Sequence, residues 1–317
     1  MRRILVTAVS GDIANNILKI LKEQGDCVLF GTDVNPIAVG MDQVAEFIIV
    51  PYAVDPSYID TMLALCNKYS ITHLIPTNER EVEVIGNNKI RFEQAGIKVM
   101  VQPENVLDIC LDKYETARFL EEKGVSVPDT YISINEFPSD KKLICKGRKS
   151  NGSRDIMFFE SKAEYIDRKY SLEDVVFQEY IEGDEYTVGV FGGNGIYSSI
   201  QFKRQLEGGH TCIVELVNNE QLADIAVRVA RALDLEGYIN IQLREKDSQF
   251  YIFEINPRIS GTVAFRHTLG FDDVLWWLDV LDGKLDWHGY ECRYKEAVGI
   301  REMCHKFLKL EKKDENK

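Results

Sequence analysis

The 317-residue sequence has no run of 18 apolar residues, so no segment reads as a membrane-crossing helix. It opens Met-Arg-Arg and passes straight into Ile4-Leu-Val6, without the apolar stretch of a secretory leader. A cytoplasmic protein is the expectation. The cysteines (27, 66, 110, 145, 212, 292 and 304) are odd in number and scattered. No C-x-x-C and no Cys/His cluster occurs, so neither a zinc site nor a disulfide framework is indicated. Positive charge is also short: 38 Lys and Arg against 51 Asp and Glu leave a net charge of −13. That argues against a nucleic-acid binder working through a broad basic surface, although a local pocket can still be positive. Two glycine signatures are missing. Thr7-Ala-Val-Ser-Gly-Asp-Ile-Ala14 lacks the glycines of G-x-G-x-x-G, and Asp33 at the end of the second strand is a weak substitute. The P-loop pattern G-x-x-x-x-G-K-[ST] is absent as well.

What is present reads as a globular protein with room for two or three domains. In the first third, apolar strands at 3–7, 27–30, 45–50, 71–76 and 97–101 alternate with helical periods at 12–24, about 56–69 and 79–95. That alternation predicts a parallel, Rossmann-like α/β sheet. Ligands gather at the carboxyl edge of such sheets, so Thr77-Asn78-Glu79 is a candidate contact. Glu79 equally suits a helix N-terminus.

Asp112-Lys-Tyr-Glu115 has the form of a capping box opening a helix over 114–123, which Gly124 and Pro128 end. Lys113 at its start either reaches a phosphate or stays in solvent. The strand Lys142 to Lys146 runs into Gly147-Arg-Lys-Ser-Asn-Gly-Ser-Arg-Asp155, either a flap over a polyphosphate or a plain basic turn. A strand over 175–181 breaks at Glu182-Gly-Asp184 and resumes over 185–190. The main chain at such a hinge can read an adenine edge, with a carboxylate a few residues on for the ribose.

Tyr238 to Arg244 and Phe250 to Arg258 alternate with period 2 and predict an antiparallel hairpin around Lys246-Asp-Ser-Gln249. Alternation places Asn240 and Gln242 on one face of the first strand, and Ile252, Glu254 and Asn256 on one face of the second. For Gln242 to face Glu254, position 246 must pair with 250. One carboxylate between amides is an oxygen set for Mg²⁺ or Mn²⁺, and the adjacent Arg258 suits a phosphate. Ser260-Gly-Thr262 then leads to Arg266, which either grips a substrate carboxylate or is a surface helix arginine. Trp276-Trp277 at helical spacing reads as core. Residues 310–317 form a charged tail.

Taken in order, Asp112-Lys113, Lys146 with its Gly/Ser loop, Gln178-Glu-Tyr-Ile-Glu-Gly-Asp-Glu185, Gln242 and Glu254-Ile-Asn-Pro-Arg258 resemble the ATP-grasp superfamily. The nearest flavour is a stand-alone synthetase half of carbamoyl-phosphate synthetase. The resemblance implies an α/β Rossmann-like pre-ATP-grasp domain over 1–107. An α+β ATP-grasp fold follows, with a lid subdomain over 108–180, a catalytic subdomain over 181–309 and the tail over 310–317. It implies that Lys113 and Lys146 contact phosphates, that Gln178 helps bind the nucleotide, that Glu179, Tyr180 and Ile181 read adenine through the main chain, and that Glu185 binds ribose. Gln242, Glu254 and Asn256 would hold two Mg²⁺ or Mn²⁺ ions, and Arg258 would act with Lys146 in catalysis. His210, in Gly208-Gly-His-Thr211, would lie near the reacting carboxylate. The loop at 147–154 has fewer glycines than the usual flap, and Gln242 stands where many relatives carry Glu or Asp. The implied activity is ATP-dependent joining of a small carboxylate to an amine through an acyl-phosphate, releasing ADP and phosphate. A kinase-like enzyme acting on an acid or bicarbonate, or a non-catalytic ATP-binding protein, are the rivals. A homodimer is a candidate assembly, and neither nucleic acid nor membrane is expected as a partner.

Overall fold

The computed structural model describes residues 1–149, 156–168, 173–284, 290, 292 and 294–302. Its first sheet is built from β1 (Arg2–Val6), β2 (Cys27–Asp33), β3 (Glu46–Ile49), β4 (His73–Ile75) and β5 (Lys98–Val99). All neighbours are parallel, in the order β3-β2-β1-β4-β5. The connections contain α1 (Asp12–Gln24), α2 (Tyr58–Lys68), α3 (Glu79–Gly86) and α4 (Lys89–Gln94). The single helical period expected over 79–95 is thus two helices. Asn87 and Asn88 close the first by donating their N–H groups to Glu83 and Ile85, and the Asn88 side chain donates to the Val84 carbonyl at 2.9 Å. Such local side-chain bonds compete with helix continuation.

Helices α5 (Glu104–Leu111) and α6 (Lys113–Glu122) lead into a small antiparallel sheet. Its strands are β6 (Thr130–Tyr131), β7 (Leu143–Gly147), β8 (Met157–Phe159) and β9 (Val175–Glu179), in the order β6-β9-β7-β8, with α7 (Lys162–Asp167) connecting β8 to β9. This sheet has its own aromatic core of Phe137, Phe159, Tyr165 and Phe177 with Leu143 and Cys145.

The third sheet is antiparallel and six-stranded: β10 (Asp184–Gly193), β11 (Ile196–Glu207), β12 (His210–Val217), β13 (Gly237–Lys246), β14 (Gln249–Asn256) and β15 (Val298–Ile300), in the order β14-β13-β10-β11-β12-β15. Three helices accompany it, α8 (Glu220–Ala232), α9 (Val263–Thr268) and α10 (Asp273–Leu281). Period 2 divides β13: Ile239, Ile241 and Leu243 pack with Leu222, Ala226 and Val229 of α8. Tyr238 instead joins Ile17, Leu18 and Leu21 of α1 and Trp277 of α10 in a core shared with the parallel sheet. Trp276 packs against the same core, as its spacing predicted. The first domain is therefore fused to the six-stranded sheet by common burial, whereas the small sheet is internally packed. Six cysteines are free thiols; Cys304 and the tail over 310–317 fall outside the described residues.

Candidate active site at the junction of two cavities

The hairpin β13–β14 turns through Asp247 and Ser248, both at positive φ (52° and 61°). Two such residues make the mirror-image turn whose twist suits a two-residue hairpin, and it fixes Lys246 opposite Gln249. That register is one residue away from the pairing of 246 with 250 that the sequence argument required. Continued unbroken, it would send Glu254 to the wrong face. A bulge opposite Gln242/Leu243 inserts Phe253 as the extra residue: Leu243 pairs with Ile252, but Gln242 pairs with Glu254 and Asn240 with Asn256. Bulges re-aim side chains in this way beside active sites. Ile252 therefore leaves the face assigned to it and packs under α8, while Phe253 and Glu254 both point into a cavity.

That cavity, of about 280 Å³, lies between the small sheet and the six-stranded sheet. Ile144, Phe158 and Leu206 give it apolar walls, and Lys113, Lys146, Gln178 and Glu185 also line it. Lys146 is buried on β7, donating to Gln178 Oε1 at 2.8 Å and to the bulge carbonyl of Phe253 at 3.4 Å. Burial pushes its ammonium down to about 8, against the opposing pull of Glu254. Lys113 is buried at the first position of α6, behind Asp112, which caps the helix by accepting from the Tyr114 N–H at 3.0 Å. Arg148 is a correction to the flap reading: its guanidinium grips the Asp112 carboxylate (2.5 Å) and steadies that cap. Ser150 to Asp155 of the loop lie outside the described residues.

At the hinge, the Glu179 and Tyr180 N–H groups bond the Asp129 and Lys142 carbonyls. Ile181 lies just past the strand, and no described residue accepts a hydrogen bond from its N–H. Gly183 has φ 143°, and a Cβ there would come within 1.8 Å of the Glu245 carbonyl, so only glycine fits this turn. Beyond it, Glu185 accepts from Arg204 Nη2 at 2.6 Å and from Arg244 Nη2 at 2.7 Å. Arg204 also donates to Gln242 Oε1 at 2.7 Å. Both arginines were missed in the sequence. Their polar spacing on β11 and β13 was the available signal, but the partner strand cannot be read from one strand alone.

A second, polar cavity of about 210 Å³ adjoins the first, and Arg204, Leu206, Gln242 and Glu254 line both. Asn256, Arg258, His210, Ser260 and Thr262 line only the second, as do Asp12 and Glu79 from the parallel-sheet domain. Arg258 Nη2 donates to Glu79 Oε1 at 2.6 Å. Arg301, also missed, joins Asp12 to the Gly261 and Thr211 carbonyls.

One expectation fails on position. Arg266 is fully buried and lines neither cavity. Its guanidinium donates to Asp273 (2.7 Å), Ser260 (2.8 Å) and Thr262 (2.6 Å) and stacks 4.6 Å from the Tyr238 ring centre. It is neither a substrate grip nor a surface arginine. It orders the serine and threonine that do face the cavity. Asp33, the weak dinucleotide signal, accepts from both the Ser10 N–H (2.7 Å) and hydroxyl (2.6 Å) and from Asn35, so it closes the first loop.

A family profile described as an ATP-grasp domain matches residues 110–262, and one described as a PylC-like N-terminal domain matches residues 4–100. The chain thus carries an ATP-grasp domain behind a PylC-like N-terminal domain. It is 26% identical to the carbamoyl-phosphate synthase of Methanobrevibacter smithii over 73% of this chain and 68% of that one. It is 22% identical to the tyramine–L-glutamate ligase of Methanocaldococcus fervens over 59% of this chain and 66% of that one. The chain thus spans about two thirds of the length of both curated relatives. Its fold matches N5-carboxyaminoimidazole synthetase from Staphylococcus aureus complexed with ADP, with a TM-score of 0.75 at 12% identity, over 94% of this chain and 81% of that one.

ATP with Mg²⁺ goes with an ATP-grasp domain, and the side chains here fit both. Neither Glu254 nor Asn256 makes a side-chain hydrogen bond or ion pair with a described residue, so the Glu254 oxygens are unspent where the two cavities meet and the Asn256 oxygen is unspent in the second. The Gln242 oxygen, in contrast, is engaged by Arg204. Among the described residues no group of three or more His, Cys, Asp or Glu is placed to hold a metal. One carboxylate with amides is a hard, weakly charged oxygen set, suited to an ion that arrives with its nucleotide. No helix among the described residues is long and apolar enough to cross a membrane.

Proposed function

We propose that this chain is an ADP-forming carboxylate–amine ligase. A carboxylate oxygen attacks the γ-phosphorus of ATP, ADP leaves, and the acyl-phosphate is opened by an amine that forms the amide bond, loses a proton and releases phosphate. The observation that carries the reading is the meeting of an apolar-walled cavity bearing two buried lysines with a polar cavity across Gln242 and Glu254. The first takes the nucleotide and the second takes the acid and the amine, with transfer at the join.

Glu254 and Asn256, with Gln242 once Arg204 releases it, would hold Mg²⁺, which neutralises phosphate charge. Lys113 and Lys146 bind and orient the phosphates. Gln178 holds Lys146 in place, and Glu179 to Ile181 present the main chain to adenine. Glu185 takes the ribose after exchanging an arginine for its hydroxyls. Arg258 faces the transferring phosphoryl, and His210 stands on the acid's side of the second cavity. Phosphoryl transfer needs this positioning and charge more than covalent help. The small sheet, packed on its own core, excludes water from the acyl-phosphate. The domain limits 1–107, 108–180, 181–309 and 310–317, a cytoplasmic location and a homodimer belong to the same reading.

The test is phosphate release from MgATP across pooled amino acids and small carboxylates, wild type beside Glu254→Ala. Release that requires both an acid and an amine, and is lost in the variant, supports the ligase. Release with an acid alone favours phosphorylation without ligation. Absence of MgATP binding rejects the reading.

A further inference from the structure

Glu79 is a largely enclosed, half-buried charged residue with no part in the proposed reaction. It occupies the first position of α3, in the parallel-sheet domain, yet its carboxylate bonds Arg258 just beyond β14. Both side chains are only 14% exposed. Arg258 is otherwise sparsely held. Its Nη1 donates to the carbonyl of the next residue, Ile259, at 3.1 Å, and its buried Nε has no partner among the described residues. Glu79 is therefore the side chain that fixes this guanidinium.

The turn carrying Glu79 is itself braced from three elements. Asn78 caps α3 by accepting from the Glu81 N–H at 2.9 Å, and its amide donates back to the Glu81 carboxylate. That carboxylate also accepts from the Thr7 hydroxyl (2.5 Å), past the end of β1, and from the Tyr58 hydroxyl (2.8 Å), at the start of α2. A carboxylate at a helix start compensates the dipole wherever it points. This one points away from its helix, across to the other body.

We propose that Glu79 is a positioning residue for phosphoryl transfer, holding the Arg258 guanidinium in place in the polar cavity beside Glu254. The proposal rests on the ATP-dependent reading, in which Arg258 faces the transferring phosphoryl. A donor ordered in advance needs no rearrangement as charge develops, and small misplacements of such a group are costly. The parallel-sheet domain then completes the transfer site and does more than support it.

The test compares the full-length wild type with Glu79→Gln, Glu79→Ala, Arg258→Ala and the Glu79→Ala/Arg258→Ala double variant. MgATP and MgADP binding are read by calorimetry, and phosphate release is read with whichever acid the pooled screen yields. Glu79→Ala should lose about tenfold to a hundredfold in kcat with KM for ATP little changed, and its preference for MgATP over MgADP should shrink. Glu79→Gln still accepts from Arg258 and should recover most of the loss. The double variant should bind MgATP no worse than Arg258→Ala alone. Equal losses in the Gln and Ala variants, or a further loss in the Arg258→Ala background, overturn the proposal. Wild type that binds MgATP while the Glu79 variants match it rejects the positioning role alone. Wild type that does not bind MgATP rejects the ATP reading and this proposal with it.

Discussion

Two charged seams join the parallel-sheet domain to the six-stranded sheet and its helices, and the same residue types serve different ends in each. At the amino edge of the parallel sheet, Asp282 follows α10 and collects Arg2 Nε (2.9 Å), His73 Nε2 (3.1 Å) and the Lys98 ammonium, while Asp279 takes the other end of Arg2. At the carboxyl edge, Glu79 meets Arg258 and Asp12 meets Arg301, one carboxylate to one guanidinium. Asp282 spends both oxygens on fixed bases. Glu79 and Asp12 are each bonded through one oxygen, and both border the polar cavity. A saturated carboxylate can only hold the domain. One with an oxygen in reserve beside a cavity can also answer to a ligand.

The sharpest way to break the comparison is to remove one residue from each seam. Arg258→Ala should cost about 10²–10³ in kcat, the size of losing one transition-state donor, with a modest change in the urea midpoint. Asp282→Ala should do the reverse: kcat per folded molecule unchanged, and about 2–3 kcal/mol lost from unfolding, discounted because Lys98 is partly exposed. Stability loss confined to Arg258→Ala, or activity loss confined to Asp282→Ala, would show that the seams had been assigned the wrong way round.

Acid should reach the amino-edge seam first. Burial pushes the Asp282 carboxyl up, but hydrogen bonds from Lys98 and Arg2 outweigh it and hold the group well below the usual carboxylate range. Its folded pKa lies below the unfolded one of about 3.9. Its contribution is therefore complete above that value and disappears as pH falls through the lowered one. Urea midpoints should decline below about pH 4, and Asp282→Asn should flatten the decline. Parallel slopes in the two proteins would place the acid-sensitive contact elsewhere.

Lys146 supplies a third kind of charge, buried and only partly spent. With its ammonium pushed down to about 8, the cation is present at pH 7 and largely gone by pH 9. MgATP affinity should fall over that interval, by at most about tenfold per pH unit. Lys146→Arg keeps its charge throughout, so its affinity should not show the step. Calorimetry at both pH values checks this, and a wild-type affinity independent of pH would remove Lys146 from the phosphate contacts.

The sequence was most informative where physics is local. Alternation with helices predicted the parallel sheet, the helix read over 12–24 ends at Gly25 with φ 72°, and the polar face of β13 could be read from period 2. The register of the hairpin could not. Alternation assumes an unbroken ladder, and the Asp247-Ser248 turn and the Phe253 bulge each shift it by one, so that Gln242 meets Glu254 for a reason the pattern does not contain. Arg266 failed differently: a guanidinium reads the same on a helix facing a substrate or a buried Asp273, and only the fold decides. Arg204, Arg244 and Arg301 act through partners 19 or more residues away. No local signal marks such ties.

The smallest expected effect separates the seams by the sign of their pH response. Burial pushes the Glu81 carboxyl, under Asn78 and Glu79, up to about 7 despite hydrogen bonds from Thr7 and Tyr58. Its folded pKa thus exceeds the unfolded value of about 4.3. The folded chain holds a proton there that the unfolded chain has released. Its contribution is full below the unfolded value and is lost as pH rises through about 7, the opposite sense to Asp282. Glu81→Gln keeps an acceptor for Thr7 or Tyr58 and has no proton to lose, so its urea midpoint should change less between pH 5 and 8 than that of wild type. Asp282→Asn, over the same interval, should follow wild type. If Glu81→Gln instead tracked wild type through this range, the turn that carries Glu79 would be held by its hydrogen bonds whatever the charge on Glu81. The two seams would then differ in how fully their carboxylates are spent and not in how they respond to pH.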